Sequence, residues 1–279
     1  MALMIHELTK SLTLVRQKRP LVHCLTNVVT VNDCANALLS VGASPVMATA
    51  IEEAAEIAAK ADSLCVNIGT LDATIVPAMF AAAAAAAVQK RPATLDPVGA
   101  GASGYRTNTS RRLLDTGNFT LLRGNASEIR AVAGVSSTTR GVDTASDTLS
   151  QEALKETIAI AQNLAKSRKI IVGVSGPVDV IASSHALALV KNGHPFMPDI
   201  CGTGCMLSAV AAAFLGANRN KPFAAVLAAF CAVGLAGEIA RERLADFEGP
   251  AAGRVRFLDA LATLDEKTFE QRARFEILE

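Results

Sequence analysis

The chain is poor in the groups that advertise a surface. It has no Trp and one Tyr among 279 residues, and aromatics make up 4% of it. A protein that stacks bases along a single-stranded nucleic acid needs aromatic platforms, so that class is disfavoured. Charge is equally balanced: 27 basic against 26 acidic residues leave a net charge of +1, with no long run of one sign. Broad attraction to nucleic acid or to an anionic membrane therefore has no electrostatic basis, and a small-molecule partner is the default. Long apolar runs are also missing. The best one, "PFAAVLAAFCAVGLAG" at 222–237, falls short of the ~20 residues that cross a bilayer and is rich in Ala, which reads as a helix buried in protein. The first twenty residues lack an uninterrupted apolar core and a small-residue cleavage site, so a cytoplasmic protein is expected. No C-x-x-C occurs. Six cysteines lie scattered among apolar neighbours, which suits free, mostly buried thiols in a reducing compartment.

What is present is an apolar, Ala-rich chain, 51% hydrophobic and 19% charged. Short apolar segments read as strands: "LVHCLT", "SPVMA", "SLCVNIG", "ATLDPVG", "FTLLRG" and "KIIVGVSG". Segments of helical periodicity separate them, including the poly-Ala run 81–87 and a long helix expected over 149–168. Regular strand–helix alternation implies a mostly parallel sheet with helices on both faces. After 176 the pattern changes. "VDVIASS" and "ALALVKNG" read as strands in hairpin sequence, with Asn192-Gly193 as a turn before "HPFMPDI". From Gly204 onward three helical segments are expected. The stretch 136–147 is the best candidate for a mobile surface loop. The expectation is one three-layer α/β/α domain over 1–279, its sheet closed by antiparallel edge strands.

Ligands of open parallel sheets sit beyond the carboxyl ends of the strands, and four stretches belong there. In "DICGTGCMLS", Gly202 and Gly204 permit a tight turn that presents amides and a helix N-terminus to an anion such as a phosphoryl group. The turn is neither a dinucleotide fingerprint nor a Walker loop, and Cys201-x3-Cys205 lacks the spacing and neighbours of a zinc site. Cys205 falls in the first helical turn, where the dipole is expected to lower a thiol pKa, although a small apolar filler accounts for it as well. In "LDPVGAGAS", Asp96 stands where a carboxylate reaches a phosphate-bound Mg²⁺, or simply caps the loop. In "RGNASEIRAV", Asn125 and Glu128 have the spacing of a capping box, beside Arg123, a residue able to bind phosphate in two-pronged fashion. In "HCLTNVVTVNDCANALLSVGASPVMA", His23, Thr26, Asn27, Asn32 and Asp33 form a polar cluster ahead of Met47. Left to itself, that stretch reads as a satisfied histidine and a core methionine.

Taken in order, "TNVVTVNDCANALLSVGASPVMA", "LDPVGAG", "RGNASEI", "VSGPVDVI" and "GTGCMLSA" resemble the hydroxyethylthiazole kinase family of the ribokinase-like superfamily. The resemblance spans 21–261. It implies ATP-dependent phosphorylation of the alcohol of 4-methyl-5-(2-hydroxyethyl)thiazole, in thiamine biosynthesis or salvage. Cys205 occupies the place of the superfamily's Asp base, a replacement typical of thiazole kinases. The resemblance further implies that Gly202 and Gly204 form the anion hole, with Gly202 also beside the alcohol. It implies that Met47 and Asn27 contact the thiazole, that Arg123 and Ser175 contact ATP, and that Asp96 and Glu128 organise Mg²⁺. A homotrimer with thiazole pockets between subunits is implied as well. Cys201 departs from the pattern, which more often has Thr there. Rival readings are a hydroxymethylpyrimidine kinase, a nucleotide-hydrate dehydratase, or a non-catalytic metabolite-binding relative.

Overall fold

The computed structural model describes residues 2–116, 119–135 and 151–278. A helix, α1 (Ala2–Lys18), precedes β1 (Leu21–Leu25), α2 (Val31–Val41), β2 (Ser44–Val46), α3 (Ile51–Lys60) and β3 (Ser63–Asn67). There follow α4 (Ile75–Val88), β4 (Ala93–Asp96), α5 (Gly104–Thr116), β5 (Leu121–Asn125), α6 (Ala126–Ala133), α7 (Gln151–Arg168) and β6 (Ile171–Ser175). The chain ends with β7 (Asp179–Ala182), β8 (Leu187–Val190), a 3₁₀ turn at Met197–Asp199, α8 (Thr203–Ala217), α9 (Pro222–Glu242), α10 (Pro250–Thr263), α11 (Glu266–Arg272) and β9 (Phe275–Leu278). The poly-Ala run lies inside α4, where Ala's helix propensity and small size suit close packing. The expected loop at 136–147 lies outside the described residues.

Among the described residues nine strands form one sheet in the order β2-β1-β3-β4-β5-β6-β7-β8-β9. The first six are parallel and the last three antiparallel. One apolar core joins one sheet face to α1, α2, α8, α9 and α10, and a second joins the other face to α3, α4, α5, α6 and α7. That is the expected three-layer α/β/α arrangement with antiparallel edge strands. Strand order reverses between β1 and β3, because β2 lies to one side of β1 and β3 to the other. The crevice at the carboxyl ends of these two strands is the place such sheets reserve for ligands.

Three expectations change. The helical tail is four helices rather than three segments, and a ninth strand follows them. Asp265 starts α11 by accepting the Thr268 N–H at 2.7 Å, which cuts the periodic run in two. The strand "FEIL" is only four residues long and pairs with β8 at the edge, too brief for alternation to show. The β7–β8 hairpin reverses through Ser183 and Ala186, while Asn192 and Gly193 are tied to Glu238 of α9 instead. Finally, α9 runs on to Glu242, so its 21 residues are long and apolar enough to cross a membrane; 94% of its apolar window is nevertheless buried in the protein. Burial rather than length marks it as a core helix.

Asp179 at the start of β7 is buried, and loss of solvation pushes its carboxyl up from 3.8 to about 7, against a bond from the Gly176 N–H at 2.9 Å. An acid whose pKa rises on folding holds its proton more tightly in the folded state. The fold is therefore favoured at low pH and loses that advantage as pH climbs from the unfolded value through 7. Asp179→Asn keeps the acceptor oxygen and removes the charge. Its thermal midpoint relative to the parent is expected to rise more at pH 8 than at pH 5, by the equivalent of about 2 kcal/mol. Equal gains at both pH values would show that the carboxylate is not strained by burial.

Candidate active site

The carboxyl ends of β1, β3, β4, β5 and β6 converge beneath the first turn of α8. Asp96 closes β4 fully buried, in register with Asn67 at the end of β3. Its Oδ2 accepts from Asn67 Nδ2 at 2.9 Å and from Ser208 Oγ of α8 at 2.7 Å, and lies 3.8 Å from Nη1 of Arg123. Its Oδ1 has no hydrogen-bond partner among the described residues. Burial lifts the Asp96 carboxyl to about 7, Arg123 pulling it down and Glu128 adding to the rise.

Arg123 rises from β5 into the same space. It is 7% exposed, its Nη2 donates to Ser175 Oγ at 2.6 Å, and its Nε has no partner among the described residues. A buried guanidinium with spare donors beside a helix N-terminus suits an anionic ligand. The two glycines of the turn make this close approach possible. Gly202 is left-handed (φ 84°), and a Cβ there would stand 2.5 Å from Thr30 Cγ2. A Cβ on Gly204 would stand 2.8 Å from Nη1 of Arg123.

On the other flank, Asn27 follows β1. Its Oδ1 accepts the Thr30 N–H at 3.0 Å, and its Nδ2 donates to Asn67 Oδ1 at 3.0 Å and to Cys205 Sγ at 3.3 Å. Cys205 is half-buried, in the first turn of α8 as expected. Its acidity differs from the expectation. Desolvation, then the nearby Asp96, push the thiol up, and the neighbouring polar side chains of Thr30, Asn67 and Asn27 only oppose the rise. The helix dipole thus acts on a thiol already set against ionisation by burial.

Asn125 and Glu128 form the expected capping box. Glu128 does more: its Oε1 accepts the Gly99 N–H at 2.9 Å while Oε2 accepts the Asn125 N–H at 2.8 Å, so it ties the loop after β4 to the end of β5. Met47 is half-buried just beyond β2 and packs on the core, and His23 Nε2 bonds the Ala48 carbonyl at 2.7 Å. The polar cluster of the first stretch divides. Thr26 and Asn27 are buried at the strand end, whereas Asn32 is exposed and Asp33 pairs with Arg254 of α10 at 2.9 Å. Cys201 is exposed, just ahead of the turn.

Three participants were not anticipated. Asn67 and Ser208 hold Asp96; each is a polar residue in an otherwise apolar run, a signal that could have flagged them. Arg106 donates to the carbonyls of Ile68, Val98 and Gly69 at 3.1, 2.8 and 2.8 Å, locking together the loops that follow β3 and β4. Nothing in "GYRTNTS" announces that role. A hollow of about 970 Å³ is lined by Phe119, Thr120, Ile171 and Phe223 at the opposite end of the sheet, away from these groups.

Among the described residues no three metal-binding side chains cluster. Two carboxylates and an orphan buried oxygen on Asp96 still fit Mg²⁺, which binds through one or two carboxylates together with phosphate oxygens and water.

The nine-stranded sheet between two helical layers is the fold of ribokinase-like kinases. Pyridoxal kinase from Staphylococcus aureus bound to pyridoxal shares the fold at a TM-score of 0.60 and 14% identity, covering 92% of this chain and 97% of that one. The chain belongs to the hydroxyethylthiazole kinase family, whose model matches residues 12–267. It is 42% identical to hydroxyethylthiazole kinase of Clostridium acetobutylicum over 94% of this chain and 96% of that protein. It is 44% identical to the same-named protein of Methanocella arvoryzae over 95% and 96%. The structure of hydroxyethylthiazole kinase from Pyrococcus horikoshii superposes with a TM-score of 0.87 at 35% identity, covering all of both chains.

The close approaches at the turn separate two roles for its glycines. Gly204→Ala is expected to raise the KM for ATP at least ~10-fold with little loss of thermal stability, because the new methyl meets only the movable end of Arg123. Gly202→Ala carries both a strained φ and a clash with Thr30, so its midpoint should drop by several degrees. Thermal melts and ATP saturation curves on both variants decide; an unchanged KM in Gly204→Ala would count against ATP binding at Arg123.

Proposed function

We propose that this protein transfers the γ-phosphoryl group of ATP to the primary alcohol of 4-methyl-5-(2-hydroxyethyl)thiazole, in thiamine biosynthesis or salvage. Membership of the family supports the activity. The observation that carries the placement is the glycine-opened first turn of α8 lying over buried Arg123 and Asp96.

Phosphoryl transfer asks for alignment and charge neutralisation more than covalent chemistry. The amides at Gly202 to Cys205 offer the transferred group its anion hole. Arg123, held by Ser175, offers a guanidinium to the phosphates. Asp96, with Glu128 behind it, would hold Mg²⁺, and that ion would supply charge neutralisation on the phosphate oxygens. Glu128 has both oxygens bonded to backbone amides, so it serves this end mainly by holding the loop after β4 in place. Asn27, bonded to the thiol, and Met47 contact the thiazole in this reading, with the alcohol between Gly202 and Cys205. Cys205 accepts the alcohol proton in this reading, but a thiol disfavoured from ionising is a weak base, so positioning supplies most of the rate.

The same reading makes the active enzyme a cytoplasmic homotrimer with the thiazole pocket between subunits. Val28 and Val29, next to Asn27, are 75% and 65% exposed and supply apolar surface for that contact.

ADP release measured with hydroxyethylthiazole, with hydroxymethylpyrimidine and with no acceptor is expected to be stimulated by the thiazole alone. Stimulation by the pyrimidine would favour the sister kinase, and nucleotide binding without turnover a non-catalytic relative. In the same assay Cys205→Ala should lower kcat by no more than about 100-fold, the low end for a lost general base, and Cys205→Asp should preserve or raise it. Complete loss in Cys205→Ala with ATP binding intact would contradict the minor role given to the thiol.

A further inference from the structure

Asn67 stands between the two halves of the site and touches both. It is 1% exposed at the end of β3, the strand beside the topological reversal. Backbone groups settle which way its amide faces. The Gly69 N–H points at Oδ1 from 2.9 Å, so Oδ1 is the acceptor for Asn27 and Nδ2 must turn to Asp96. Asn27 is fixed in the same manner by the Thr30 N–H on its own Oδ1, which leaves its Nδ2 for Asn67 and Cys205. The result is one directed chain from the Thr30 amide through Asn27 and Asn67 to Asp96, with a branch to the Cys205 sulfur. Ser208, fully buried one turn along α8 from Cys205, closes it by donating to the same Asp96 oxygen. Both donors fall on Oδ2, and Oδ1 is left without a partner among the described residues.

We propose that Asn67 is a positioning residue that couples the thiol side of the site to the carboxylate side. Through Asn27 it sets the N–H that faces Cys205, and with Ser208 it occupies Oδ2 of Asp96 so that Oδ1 is the oxygen kept free for the metal–phosphate group. Partners of this kind, bound to a ligand rather than to the metal, commonly change affinity or activity 10–100-fold when removed. The inference rests on the kinase reading above for the meaning of Oδ1, but the coupling itself is a property of the protein without ligands.

The test uses the whole protein in a Cys201→Ser background, so that Cys205 is the accessible thiol while Cys24, Cys34, Cys65 and Cys231 remain buried. Two quantities are read: the rate of Cys205 alkylation by iodoacetamide without ligands, and the Mg²⁺ concentration for half-maximal turnover at saturating ATP and thiazole. Asn67→Ser is expected to change the alkylation rate at least ~3-fold and to raise the Mg²⁺ requirement about 10-fold or more, with kcat falling further than KM for the thiazole rises. Ser208→Ala should raise the Mg²⁺ requirement and leave alkylation within about 2-fold. Asn27→Ser makes the test from the opposite end and serves if Asn67→Ser does not fold: the Mg²⁺ requirement should rise although Asn27 makes no hydrogen bond to Asp96.

Phe257→Leu, in the core of α10, controls for general loosening. Shifts in Asn67→Ser no larger than in Phe257→Leu, or an alkylation change in Ser208→Ala equal to that in Asn67→Ser, would overturn the coupling. A parent enzyme indifferent to Mg²⁺ would fault the metal reading instead. The alkylation rates and the split between kcat and KM would then still decide the role of Asn67.

Discussion

Arg123 and Asp96 bury opposite charges 3.8 Å apart beneath the start of α8, and most of what is unusual nearby follows from that pair. Removing two charges from water costs several kcal/mol per ion, and their attraction offsets this only with good geometry and full hydrogen bonding. Here neither condition holds, since Arg123 Nε and Asp96 Oδ1 lack partners among the described residues and the carboxyl is pushed up to about 7. Such a pair is a poor device for stability. It makes sense as an arrangement held ready for a ligand that brings its own charges, a phosphate for the guanidinium and a cation for the free oxygen. The glycines of α8 fit this account, because the guanidinium occupies the space where a side chain on residue 204 would lie.

The sheet explains why residues so distant in sequence meet there. In the parallel half, all strands point the same way, so their final residues form a row: Asn67 beside Asp96, and Asn125 beside Ser175. The reversal of strand order at β1 opens a gap above that row, and α8 lies across β1, β3 and β4 to bring Cys205 and Ser208 over it. Arg106 and Glu128 then brace the loops after β3, β4 and β5 against one another, from outside the row. A surrounding framework of this kind holds polar groups at fixed separations without asking any single loop to be rigid.

Much of this was legible in the sequence. Alternating apolar and helical segments marked the parallel strands, and the glycine turn, Asp96 and the Asn125–Glu128 box each carried a local signature. What local pattern does not contain is the partner of a side chain. Asn32 and Asp33 looked equivalent to Asn27 because all three are polar and close in sequence; the helical turn of α2 sends Asp33 to Arg254 on α10 instead. Arg106 was illegible for a different reason, since its acceptors are carbonyls, which every residue carries. The ninth strand was hidden by brevity. Asn67 and Ser208 were visible as polar residues in apolar runs, yet their meaning depends on a register between β3 and β4 and on the tilt of α8 across them.

Cys205 shows how burial and helix position compete. A thiol at a helix N-terminus feels a positive potential worth several tenths to about 2 kcal/mol in partly buried settings. Desolvation and the Asp96 carboxylate act in the opposite direction and prevail at this site. The N–H of Asn27 aimed at Sγ tempers the rise without reversing it. A group so placed is neither an efficient base nor an inert filler. In the proposed transfer it would act as a small, polarisable group 3.3 Å from a fixed amide that orients the hydroxyl, while Arg123 and the amides of the turn would meet the charge developing on the phosphoryl oxygens.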